Sequence, residues 1–185
     1  MLSLRTMSEA GEELVRQATR AQSDRRFAEA RQHWTAAIAL LREEQDASGL
    51  AGALRSLGEL ERKLRDLTAA RRYYEEAVAI YRRECPPLLL AHTVRHLGDV
   101  YQESGDYALA EPSYREALEI YRNQAETTPL ELANAIRSMA VLKGRTGSVD
   151  EAQALWRETR ELYRAAHIDE GVVESSLQLA RLTAN

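Results

Sequence analysis

Small and large apolar residues alternate with charged ones at helical spacing along most of the chain, and the alternation itself repeats. The segments FAEARQHWTAAIALLR from Phe27, LTAARRYYEEAVAIYR from Leu67, YALAEPSYREALEIYR from Tyr107 and VDEAQALWRETRELYR from Val149 align without gaps. In them Ala30, Ala70, Ala110 and Ala152 recur at intervals of 40, 40 and 42 residues, and four residues after each stands Trp34, Tyr74, Tyr114 or Trp156. Residues four apart share a helix face, so each segment is predicted to be an amphipathic helix burying a small and a large side chain together.

A second helix is predicted before each of these: ALRSLGELERKL, TVRHLGDVYQES and AIRSMAVLKGRT, with ELVRQATRAQSD as the weakest copy. The pairs Leu57-Gly58, Leu97-Gly98 and Met139-Ala140 keep the same 40- and 42-residue intervals. Each unit is therefore a helix hairpin in which the small residue lets the partner helix approach and the larger one fills the space beside it. Helix starts are marked by Asp66 and Asp106 at N-cap positions, by Ser148 with Glu151 as a capping box, and by Thr128, Pro129 and Glu131 before the fourth hairpin. Pro112 lies inside a predicted helix, where it removes a bond to Ala108 and is expected to bend the solvent side. The final segment, EGVVESSLQLARLTAN, repeats only a first helix, with Leu179-Ala180 in the Leu-Gly register, and reads as a cap over the last apolar face.

Composition adds an all-helical expectation: 44% hydrophobic residues but only 9 glycines and 4 prolines among 185. The net charge of −4, with acids and arginines interspersed, argues against a nucleic-acid footprint. Only Lys63 and Lys143 among the 25 basic residues are lysines, which fits codon usage in a GC-rich genome. A single cysteine, Cys85, cannot form an internal disulfide, and no apolar run has signal or membrane-spanning length, so a cytoplasmic protein without membrane association is expected.

Leu97, Gly98, Tyr101, Ala110 and Tyr114 spell the L-G-x2-Y and A-x3-aromatic signature, in which the chain resembles tetratricopeptide repeats. Glu61 and Lys143 replace the signature tyrosine in other units, Gln17-Ala18 replaces Leu-Gly, and Arg82 and Arg122 stand where the family ends a helix with proline. The long period is similar to that of kinesin light chains and many bacterial arrays. The resemblance implies an all-α, right-handed solenoid of four hairpins plus a capping helix. The expected layout is a flexible N-terminus over 1–7 and one domain over 8–185, with repeats at about 11–50, 51–90, 91–132 and 133–172 and the cap at 173–185.

It also implies a concave groove formed by the first helices. Carried onto this sequence, the groove positions are Glu12, Val15, Arg16 and Thr19; Arg55, Ser56, Glu59 and Arg62; His92, Arg95, His96, Asp99 and Gln102; Asn134, Arg137, Ser138 and Val141; and Arg181 on the cap. Arg55, Arg95 and Arg137 occupy equivalent points, and the guanidinium fork suits carboxylates. Three such helices span about 20 Å, the reach of roughly six extended residues. The competing reading pairs Arg55 with Glu59 and Arg95 with Asp99, four residues apart, on a solvated face. Val15 and Thr19 stand where the family's chaperone-binding clamp has lysine and asparagine, which argues against a chaperone tail.

Catalytic signals are thin. There is no phosphate-binding glycine loop and no zinc-protease motif. His92, His96 and Asp99 share a helix face and could in principle hold a divalent metal, but no further ligand is implied, and surface polar histidines are the simpler reading. Cys85 has Arg82 and Arg83 nearby but no adjacent base. The sequence therefore predicts a non-catalytic module without cofactor or metal, binding an acidic peptide or partner helix. A self-associating scaffold, for instance a homodimer, is the alternative.

Overall fold

The computed structural model describes residues 7–84 and 86–184; most of the expected flexible N-terminus, and Cys85, lie outside the described residues. Among them are nine helices and no strand: α1 (Glu9–Ser23), α2 (Phe27–Glu43), α3 (Ala47–Lys63), α4 (Leu67–Glu84), α5 (Pro87–Glu103), α6 (Tyr107–Asn123), α7 (Pro129–Arg145), α8 (Val149–Ala165) and α9 (Asp169–Thr183). The all-α expectation of helix pairs followed by a single terminal helix holds. Two compact units are distinguished, Met1–Thr93 and Val94–Asn185, with the division falling inside α5.

In the first unit α1 packs on α2, α2 on α3 and α3 on α4. Ala30 and Trp34 of α2 are buried with Leu54, Leu57 and Leu60 of α3 in one core. Gly58 lies against Tyr74, and a methyl group there would stand 3.2 Å from the ring. In the second unit α6 packs on α7, α7 on α8 and α8 on α9. Here Gly98 meets Tyr114 more tightly still, since a Cβ would sit 2.6 Å from the ring. Leu179 and Leu182 of α9 pack against Ala140, Ala152 and Trp156, and the Gln153 amide donates to the Leu182 carbonyl at 3.1 Å. The last helix is thus a cap on α8, although Val173 and Leu177 on its other side are 58% and 56% exposed.

A recurring joint closes most of the helices. At the ends of α1, α2, α3, α5, α7 and α8 one residue takes a positive φ: Arg25, Gln45, Arg65, Gly105, Gly147 and His167. The next backbone N–H then reaches back five residues, as in Arg26 to Ala21 (2.8 Å), Asp66 to Glu61 (3.0 Å) and Ile168 to Tyr163 (2.9 Å). This satisfies carbonyls that a helix end leaves open and turns the chain straight into the next helix.

The expected caps are met in part. Asp66 accepts from the Ala69 N–H at 2.9 Å, and Thr128 with Glu131 forms a full capping box ahead of Pro129. Asp106 occupies the N-cap of α6 without a side-chain capping bond. Ser148 likewise makes none, so the predicted Ser148–Glu151 box is absent, and the Glu151 carboxylate pairs with Lys143 at 2.8 Å instead. Helix α6 spans Tyr107 to Asn123 with the exposed Pro112 inside it.

The two residues that replace the signature tyrosine are both built into ion pairs. Glu61 of α3, almost fully buried, accepts from Arg31 of α2 at 2.6 and 2.5 Å. Lys143 of α7 binds Glu111 of α6 at 3.0 Å as well as Glu151 of α8. Arg31 and Glu111 both directly follow a repeat alanine, so the two pairs are equivalent with their signs exchanged.

Candidate peptide-binding faces

The groove positions inherited from the resemblance fall on α1, α3, α5, α7 and α9. In the first unit, Arg16 pairs with Glu13 of its own helix, and the Thr19 hydroxyl donates to the Val15 carbonyl at 2.8 Å. On α3 the Ser56 hydroxyl donates to the Gly52 carbonyl at 3.0 Å. Glu59 pairs with Lys63 at 3.0 Å. Arg55 and Arg62 are half-buried on the same helix, and His92 is half-buried near the start of α5. Arg55 keeps its Nε buried without a hydrogen-bond partner.

The second unit holds a denser network centred on Asp99. Its Oδ1 accepts from the Tyr114 hydroxyl of α6 at 2.9 Å and from the Ser138 hydroxyl of α7 at 3.0 Å. Its Oδ2 lies 3.4 Å from Arg95 Nη1 and 3.4 Å from His96 Nδ1. Arg95 Nη2 stands 2.9 Å from His96 Nε2. Because a guanidinium can only donate, Nε2 is the acceptor and Nδ1 carries the proton toward Asp99. Among the described residues His92, His96 and Asp99 are not gathered into a group that could hold a metal ion. Gln102 is half-buried one turn further along α5.

On α7, Arg137 makes a bidentate pair with Glu174 of α9, Nε to Oε2 at 2.8 Å and Nη2 to Oε1 at 2.7 Å. This carboxylate, by hydrogen bonding above all, holds the guanidinium pKa above its ordinary value. Asn134 accepts from the Tyr163 hydroxyl at 2.8 Å. Val141 is half-buried and Arg181 is exposed. Burial, the largest influence, raises the pKa of Tyr114, with the Asp99 carboxylate adding to it. Burial likewise pushes Tyr121 up to about 12 against the opposing charge of Arg95, and raises Tyr163. Tyr114 and Tyr163 accordingly serve as donors, to Asp99 and Asn134.

The face thus consists of fixed polar groups, and sequence reasoning missed three of its parts. Tyr114 was expected purely as core, whereas its hydroxyl also holds Asp99. Glu174, the partner of Arg137, lies 37 residues away on the cap. Ser138 reaches a carboxylate on the preceding hairpin. The hydroxyl at Tyr114, where phenylalanine would serve for packing, was the one visible signal. A cleft of about 630 Å³ lined by Leu118, Met139, Lys143 and Leu155 contains none of these groove residues. No helix among the described residues is long and apolar enough to cross a membrane.

No curated protein matches the chain. Among solved structures, BtubC (BKLC) from P. vanneervenii superposes with a TM-score of 0.71 at 20% identity, over 95% of this chain and 81% of that one. The apo form of RapI superposes with a TM-score of 0.85 at 14% identity, over 94% of this chain. This chain spans 62% of the length of RapI. At such identities both likenesses speak for the fold alone. The tetratricopeptide repeat model matches residues 49–123 and 88–165, well over half of the sequence. With its helix hairpins, its alanine and aromatic contacts and this match, the chain belongs to the tetratricopeptide repeat family.

Proposed function

We propose that the chain is a non-catalytic protein–protein interaction module whose first-helix faces take an extended, acidic peptide from a partner protein, and that it works in a bacterial cytoplasm. The family supports the coarser part of this reading, a module for protein partners. The finer part rests on one observation: arginines recur at equivalent points of α3, α5 and α7, half-buried, with Arg95 and Arg137 held in place by hydrogen bonds. Groups ordered before binding lose little side-chain entropy when a ligand arrives. Planar donors in such a setting select carboxylates.

Fluorescence anisotropy with labelled hexaglutamate and hexalysine tests the reading. Hexaglutamate is expected to bind, with affinity falling as salt is added, and hexalysine to stay free. Equal binding of the two peptides, or none of either, would refute the acidic-peptide assignment. A second reading, self-association as a scaffold, draws on the exposed Val173 and Leu177 of α9. It predicts a dimer in sedimentation velocity that Leu177→Glu dissociates; a monomer at every concentration removes it.

A further inference from the structure

Arg55, Arg95 and Arg137 are equivalent in sequence but not in their surroundings. Arg137 already holds a carboxylate side-on through Nε and Nη2, from Glu174 exactly one first helix later in the chain, 37 residues on. Arg95 faces Asp99 of its own helix. Arg55 has neither arrangement. The acid four residues beyond it, Glu59, pairs with Lys63 at 3.0 Å. The residue 37 positions beyond it is His92, an imidazole in the register that Glu174 fills for Arg137. Among the described residues no carboxylate pairs with Arg55, and its Nε–H is buried with no acceptor.

A charged donor removed from water without an acceptor is unfavourable, and the same donor set is strongly stabilised once a carboxylate binds it side-on. At Arg95 and Arg137 an incoming carboxylate must displace an internal one. At Arg55 no internal carboxylate has to be displaced, and the buried Nε–H gains the acceptor it lacks. We infer that Arg55 is the anchoring arginine of the first unit's face, receiving one side-chain carboxylate of the acidic peptide. Arg95 and Arg137 are positioning residues whose charge is already satisfied within the fold. This inference rests on the acidic-peptide reading above and narrows it from three equivalent contacts to one.

The discriminating variant adds a group instead of removing one. His92→Glu places a carboxylate in the Glu174 register, where it should pair with Arg55 and weaken hexaglutamate binding at least tenfold. His92→Gln, which changes the same side chain without adding a charge, is the reference against which that loss is read; a tenfold change corresponds to about 1.4 kcal/mol. In the unaltered protein, the Nε–Hε resonance of Arg55 should shift on hexaglutamate addition while that of Arg137 stays put. Arg55→Ala should lower affinity by a similar factor with helical circular dichroism intact. If hexaglutamate binds but moves Arg95 or Arg137 and not Arg55, or if His92→Glu and His92→Gln bind alike, the anchor assignment is wrong and the acidic-peptide reading survives. If hexaglutamate does not bind the original protein, both fall together.

Discussion

Exchanging the signs of the Arg31–Glu61 pair offers a direct measure of what joins α2 to α3. Glu61 has a side chain only 3% exposed, and it accepts two charge-assisted bonds from an Arg31 side chain that is 48% exposed. Removing Arg31 leaves a buried carboxylate with neither bond. Bonds to charged groups contribute about 1.5–3 kcal/mol each when both partners are buried. Half-exposure of Arg31 lets water replace part of that, so Arg31→Met should destabilise the first unit by about 2–3 kcal/mol. Glu61→Lys alone sets two cations against each other and should destabilise at least as much. The double variant Arg31→Glu with Glu61→Lys reproduces the polarity that Glu111 and Lys143 already use in the second unit. It should recover at least half of the loss. Urea unfolding of Arg31→Glu, Glu61→Lys and the double variant, followed by circular dichroism with a check that the two units unfold in one transition, gives the coupling energy from the cycle. For a chain of 185 residues a loss of this size corresponds to a drop in Tm of about 5–10 °C. Additive effects of the two substitutions, with coupling under about 0.5 kcal/mol, would refute the claim that this pair fixes the contact.

Three further outcomes follow from the fold. Arg25, Gln45, Arg65 and His167 hold the left-handed conformation that Gly105 and Gly147 adopt without strain. Replacing any one of the four by glycine should raise stability by about 1 kcal/mol in denaturant titrations, and a loss at Arg65→Gly would contradict the strain argument. Hydrogen bonding from Lys143 holds the Glu111 carboxyl below its ordinary 4.5, so that contribution is present above pH 4.5 and is lost as pH falls through the lowered value. Lys143 is raised above 10.5, mainly by Glu151, and its contribution disappears only on the alkaline side. Thermal melts should therefore be flat with respect to this cluster between the two limits, and Glu111→Gln should blunt the acid-side decline; an unchanged acid profile would sink the assignment. Deleting Gly171 to Asn185 should uncover Trp156 and Tyr163 and speed amide exchange from Val149 to Tyr163, whereas unchanged protection there would make α9 a mere tail.

The helix count was legible because it rests on periodicity: an alanine, an aromatic four residues on, and a small residue on the facing helix. Those contacts are local to one hairpin, so sequence spacing alone defines them. The helix ends were less legible. Glycine marks two of the positive-φ joints, but Arg25, Gln45, Arg65 and His167 carry no such mark, and tertiary packing imposes the turn there. Ser148 and Glu151 had the right spacing for a capping box, yet the Glu151 carboxylate pairs with Lys143 of another helix instead. The arginine row was visible as a row. Its inequality was not, because the acids that neutralise Arg95 and Arg137 arise from different registers, one within the helix and one 37 residues away.

The joint between α6 and α7 differs from those inside the hairpins. It lacks a positive-φ closure: α6 ends in extended backbone at Gln124, and α7 restarts with its own capping box at Thr128. Between them Ala125 and Glu126 are exposed, and this stretch contains the two residues that lengthen one repeat from 40 to 42. Each flanking helix thus stops and starts by its own means. Loop-closure entropy rises only slowly with length, so added sequence at this point disturbs neither terminus. That makes the Ala125–Glu126 bond the natural splice point for a fluorescent tag, a protease site or a grafted recognition loop, and it shows how an array of this kind can lengthen a repeat without retuning a single helix.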